Sequence, residues 1–134
     1  MISIPTPNVS AEAQAAFKKN HAKIIELTVA NLLAEPGQFD HFGDQAESTL
    51  TAGLEFTSSS LETCMLINDA SLLIEQLRWA KDRLPHDGIS MNRMTESLKV
   101  YCDVINKMLP APFATKIVGL IKNMISAQIE MMKT

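Results

Sequence analysis

Few residues in this chain break a helix. Five glycines and six prolines gather at a few joints rather than recurring at short intervals, and without regularly spaced turns a β-sandwich or barrel is not expected. Aromatics make up 5% of the chain, with a single tryptophan and a single tyrosine. The two cysteines have no Cys-x-x-Cys spacing, which excludes that redox motif and points to free thiols in a reducing cytoplasm. The opening MISIPTPNVS has neither a basic start nor a long apolar run, so it does not read as a signal peptide. The most apolar stretch, IVGLI between Lys116 and Lys122, is far too short to span a bilayer. A net charge of −3 offers no general electrostatic case for nucleic acid. Paired carboxylates, Ser/His/Asp spacing, Gly-rich phosphate loops and HxxxH or ExxH metal spacings are all missing, so the chain does not read as an enzyme.

What is there is helical patterning. A length of 134 residues, 46% of them hydrophobic and 20% charged, suits one domain with a real core. Residues 1–9 are expected to be an extended arm, because Pro5 and Pro7 disfavour helix before them, and residues 10–134 a single helical domain. Ser10 caps a first helix that runs to about Leu33, with an apolar face of Ala13, Phe17, His21, Ile24, Thr28 and Asn31; Pro36 and Gly37 stop it. A second helix, from about Asp44 to Ile67, carries the stripe Leu50, Leu54, Thr57, Leu61, Cys64 and Met65. Its middle, Phe56 to Ser60, has poor helix propensity, so a bend, a break or a close approach by small residues is expected there. Asn68 and Asp69 cap a third helix, which ends at Pro85 and Gly88. Ser90 caps a fourth, to about Leu109, with the stripe Met91, Met94, Leu98, Tyr101, Ile105 and Met108. Pro110 and Pro112 mark the last joint. The fifth helix, from about Phe113 to Met132, is apolar over nearly half its circumference, through Ile117, Val118, Leu120, Ile121, Met124, Ile125 and Ile129. Such a helix is either central in the core or half in a subunit interface.

The stretch from Asp69 to Ile89 is the most informative. Leu73, Leu77, Ala80 and Leu84 fall at i, i+4, i+7 and i+11, one stripe of a helix. Trp79 lies roughly 100° round from it, beside Leu72, Gln76 and Arg83. The helix therefore has a core face and a second, tryptophan-centred face that needs a partner: another part of the chain, another subunit or a ligand.

Several residues could carry chemistry. His21 and His86 are the histidines that could ligate haem iron; the plainer alternatives are a core-edge histidine bonded to a carbonyl for His21 and an exposed turn residue for His86. His41, between two phenylalanines, reads as an exposed loop residue. Cys64 and Cys102 could attach a tetrapyrrole through a thioether, or simply be small buried hydrophobes. Arg78 and Arg83, with Lys81, could hold ligand carboxylates; the alternative is local pairing of Arg78 with Glu75 or Asp82.

The run from Leu72 to Ile89, with Trp79, Arg83-Leu84 and the closing Gly88-Ile89, continues into SMNRMTESLKVYCDVINKMLP and APFATKIVGLIKNMISAQIE. A Leu-rich helix with Trp, a turn ending in Gly-Ile, a further Leu-rich helix, Leu-Pro and a last helix is similar to helical modules found beside cobalamin-binding and sensory domains in bacteria. These modules are globin-like and distant relatives of phycobiliproteins. At this length the chain most resembles the small globin-like proteins associated with bilin biosynthesis, over roughly Asp44 to Met132. The resemblance implies a globin-like all-α fold and a non-enzymatic homodimer that binds a bilin, a linear tetrapyrrole; the contexts of Cys64 and Cys102 point to binding without a covalent bond. Propionates would meet Arg78 or Arg83, the ring system would lie on Trp79 or Tyr101, and partners would be a tetrapyrrole or a protein of bilin metabolism. Two departures bear on this. Phycobiliproteins attach bilin at a Cys followed closely by Arg-Asp, whereas Cys64 is followed by Met-Leu-Ile-Asn-Asp. Haem globins use a proximal histidine late in the fold, and no histidine follows His86. The competing expectations are a ligand-free helical dimerisation or sensory module and a haem-binding globin sensor.

Overall fold

The computed structural model describes residues 2–35, 37, 39–87 and 90–133, with backbone alone for Asp40, His41 and Asp87. The expected stops at Pro36 and Gly88, the closing Ile89 and the exposure of the His41 side chain lie outside the described residues. The chain is all-α. Five helices, α1 (Ala11–Leu33), α2 (Ala46–Ile67), α3 (Ser71–Arg83), α4 (Met91–Met108) and α5 (Ala111–Met132), are joined with two 3-10 segments, Asp40–Gln45 and Leu84–Asp87, and among the described residues there is no strand. No described helix is long and apolar enough to cross a membrane.

The helix starts follow local chemistry. Ser10 Oγ accepts from the Ala13 N–H at 3.1 Å and Ser90 Oγ from the Arg93 N–H at 3.1 Å, each satisfying a first-turn donor that the helix cannot. The boundary between α2 and α3 differs from the reading of Asn68-Asp69 as one cap. Asn68 has φ 54°, ψ 45° and closes α2 in the left-handed region, which asparagine tolerates better than most residues. Asp69 then opens α3, its Oδ1 accepting from Ser71 N at 2.8 Å and Ser71 Oγ at 2.7 Å.

The weak middle of α2 does not break it. Thr57, Ser60 and Thr63 donate their hydroxyls to the carbonyls of Gly53, Phe56 and Ser59, at 3.1, 2.8 and 3.0 Å, so these side chains are satisfied within the helix instead of competing with it. Ser58 and Ser60 are buried, and α2 lies along α1 in the most extensive helix pairing of the fold.

α1 packs against α2 on one side and α4 on the other. Its buried arc is therefore broader than one stripe and takes in Ile25 and Val29. Two members of the expected face move out of it: Asn31 is exposed and His21 only half-buried. α5 contacts α4, α3 and α1, and Ile117, Val118, Leu120, Ile121, Met124 and Ile125 are all buried in the shared core. The wide apolar arc of the last helix is thus used inside the chain, with Ile129 and Met132 left exposed.

The N-terminal arm is tied down. Val9 is buried in the main core and Ile2 and Ile4 pack against it. Asn8 N donates to Asn68 Oδ1 at 2.8 Å, and Asn68 Nδ2 returns a bond to Asn8 Oδ1 at 3.2 Å. Gln14 Nε2 bridges Val9 O and Met65 O at 3.0 and 3.1 Å.

Candidate binding groove

α3 divides as its periodicity suggests. Leu73, Leu77 and Ala80 are buried, while Trp79 is 58% exposed. Exposing most of an indole is costly in apolar area. Phe56 on α2 is 56% exposed, and the two rings border one groove of about 180 Å³ between α2, α3 and α4. Leu54, Leu77, Met94 and Leu98 form its apolar walls, and Gln76, Thr57 and Ser97 add polar groups. Arg93 is the ionisable side chain among its described lining residues; its guanidinium lies 5.3 Å from the centre of the Phe39 ring, a cation–π distance, and Phe39 stacks on Phe42 with centroids 6.2 Å apart.

The volume decides what fits. A dry cavity of about 150 Å³ holds one benzene, whereas sites for drug-sized ligands run from about 300 Å³ upward. At about 180 Å³ this groove encloses one ring system and leaves anything larger lying across its mouth.

The residues expected to form a site are not all brought together. Trp79 lines the groove. Arg83 shares its helix face but is outside the lining. Arg78 donates to Glu75 at 2.7 Å with both side chains exposed, the local pairing that the spacing allowed. Tyr101, expected as a ring platform, is wholly buried. It does not line the groove, and with no exposed surface it is unavailable to a ligand there. Burial pushes its hydroxyl well above the usual tyrosine range. Lys81 Nζ is used structurally, donating to Met131 O at 2.8 Å and linking α3 to α5.

The histidines lie elsewhere. His21 Nδ1 is 2.7 Å from Lys18 O, the carbonyl-bonded arrangement that was the plainer alternative. It borders a hollow of about 500 Å³ between α1 and α2 with Glu26, Glu47 and Glu55. Among the described residues no group of three His, Cys, Asp or Glu side chains could hold a metal ion. His86 is exposed in the 3-10 segment after α3 and does not border the groove. Cys64 and Cys102 are buried free thiols. Burial raises both: Cys64 despite a backbone hydrogen bond from Leu73, and Cys102 to about 11 despite the nearby Lys122 charge.

Phe56 and Arg93 were not singled out from the sequence. Phe56 stands off the Leu50–Leu54–Leu61 stripe of α2, so an off-stripe aromatic was the available signal. Nothing local marks Arg93, which reaches the groove through the packing of α4. Comparison with protein-family models, with curated proteins and with solved structures finds no match.

Proposed function

We propose that this chain is a non-enzymatic helical docking module that works through the Phe56–Trp79 groove and associates with a second copy of itself. One observation carries the reading: a groove of about 180 Å³ bordered by two rings, each more than half exposed. That volume suits a single inserted aromatic side chain, and the same surface offers both the cleft and the side chains to fill it. Self-complementarity of this kind is what an isologous two-fold interface requires, and exposed tryptophan with a nearby arginine is the composition of interface hot spots. Sedimentation of the full chain at micromolar concentration tests it. A dimer that Trp79→Ala converts to monomer is the expected result; a monomeric wild-type chain overturns the proposal.

A second reading keeps the kinship with the phycobiliprotein lineage and its small globin-like proteins of bilin biosynthesis. A linear tetrapyrrole would seat one ring in the groove and lay the others over Trp79, held without a thioether. The apolar walls and the Arg93 side chain favour it, since a propionate pairs well with a guanidinium. The volume weighs against it, because one ring of four is enclosed. Titration with a bilin separates the two. A red-shifted, saturable absorbance change lost in Trp79→Ala supports the tetrapyrrole, and an unchanged bilin spectrum removes it. Neither His21 nor His86 borders the groove, so a haem seated there would find no histidine ligand among the described lining residues.

A further inference from the structure

The uncovered face of α3 has a spacing that reads the same in both directions. Leu72, Gln76, Trp79 and Arg83 follow one another at intervals of four, three and four residues. At about 3.6 residues per turn, these four side chains leave the helix within roughly 60° of one another. They stand well round from the buried Leu73, Leu77 and Ala80. Leu72 is 38% exposed and Trp79 58%, Arg83 is exposed and Gln76 is half-buried between them. Gln76 and Trp79 both line the groove.

Such a stripe suits an antiparallel copy of itself. A two-fold axis perpendicular to α3, passing between positions 77 and 78, brings Gln76 level with the second copy's Trp79 and Leu72 level with its Arg83. A parallel pairing would set each residue against itself and so oppose two Arg83 charges, a costly juxtaposition of like sign. The antiparallel pairing lays the apolar stem of Arg83 over Leu72 while the guanidinium stays in water. The chemistry at the centre also matches. An indole N–H donates and cannot accept, and a buried one takes an acceptor. Gln76 is the one amide side chain among the described lining residues, and its Oε1 accepts. A ring delivered level with Gln76 is delivered to the groove, whose volume of about 180 Å³ takes one ring system.

We infer that the second copy seats with its α3 antiparallel to this one, each Trp79 entering the other copy's groove and donating its indole N–H to Gln76 Oε1. The inference rests on the self-association proposed above and adds its geometry. Two-fold symmetry makes the bond twice, and the two exposed apolar side chains of α3, Leu72 and Trp79, are covered together.

Disulfide trapping of the full chain tests the arrangement. Leu72→Cys and Arg83→Cys are prepared separately, with circular dichroism confirming that each keeps its helices. In the antiparallel pair, position 72 of one copy meets position 83 of the other. Two copies of position 72, or of position 83, stand about 16 Å apart at about 1.5 Å per residue, beyond the reach of a disulfide. Mild oxidation should therefore link the mixed variants and neither variant alone. Cys64 and Cys102 are buried in each copy, so the wild-type chain under the same oxidation sets the background. Linking of either variant alone, or an unlinked mixture that sedimentation shows to be dimeric, overturns the antiparallel geometry and leaves self-association standing. A monomeric wild-type chain removes both. The central bond has its own readout. Trp79→Phe keeps a ring without the N–H, and Gln76→Leu removes the acceptor. Each should raise the dimer Kd by on the order of tenfold, and the double variant no further, because both remove the same bond. Additive losses would show that the two side chains do not meet.

Discussion

Leu77 and Trp79 stand two residues apart on α3 and face opposite fates. Leu77 is fully buried and Trp79 more than half exposed. Leu77→Ala leaves a cavity and should cost about 2–5 kcal/mol of unfolding free energy. Trp79→Ala should cost less than about 1 kcal/mol in the monomer, since its ring packs little within the chain. Urea unfolding of the two variants at low protein concentration measures both; equal losses would mean that the two faces of α3 have been misassigned. The buried thiols and phenol predict a pH dependence. Burial raises Cys102 from its ordinary 9.0 to about 11 in the folded state, and raises Cys64 and Tyr101 in the same direction. The protonated forms therefore support folding fully below about pH 9, and that support is lost as pH climbs through the folded-state values. The urea midpoint should be flat with respect to these groups below pH 9 and fall above it, less steeply in Cys102→Ala. Both thiols should also alkylate slowly at neutral pH until denaturant is added.

At the scale of elements, the helix starts were legible because capping is local: Ser10 and Ser90 do what their positions before apolar stripes imply. The α2–α3 junction was only half legible. Asn and Asp both cap helices, and which of the two turns left-handed depends on where the arm's Asn8 waits to bond. Asn68 holds a left-handed conformation and exchanges two hydrogen bonds with Asn8. Asn68→Ala should accordingly cost about 1–2 kcal/mol for the backbone conformation alone, whereas Asn68→Gly relieves that strain and should cost less. Thermal unfolding of the pair checks the order; an alanine variant as stable as the glycine one would refute it. The Phe56–Ser60 run illustrates the opposite limit. Its propensity is poor, yet α2 stays continuous because the hydroxyls bond back to their own helix and α1 packs along it.

At the scale of the whole molecule, the arm is part of the core and not an appendage. Val9 is buried, Ile2 and Ile4 pack on the same cluster, and Gln14 ties Val9 to α2. Deleting residues 1–9 should lower stability by at least the about 1.5–3 kcal/mol of one buried valine side chain. A truncated chain with an unchanged denaturation midpoint would show that the arm contributes nothing. The groove is a property of this scale alone. Residues of all five helices line it, with Phe39 and Phe42 from the segment between α1 and α2, and α5, whose wide apolar arc also suggested an interface, spends most of that arc on its neighbours instead.

The sequence by itself determined the class of fold, the number of main helices, the serine caps of α1 and α4 and the two-faced character of α3. These follow from spacings within one or two turns, where backbone geometry relates residue number to direction. Only the tertiary structure decided which apolar faces remain uncovered. It buried Tyr101, paired Arg78 locally, set Phe56 opposite Trp79 and brought Arg93 to the groove. Such meetings join residues tens of positions apart, and helix periodicity says which way each side chain points but not which other helix it meets.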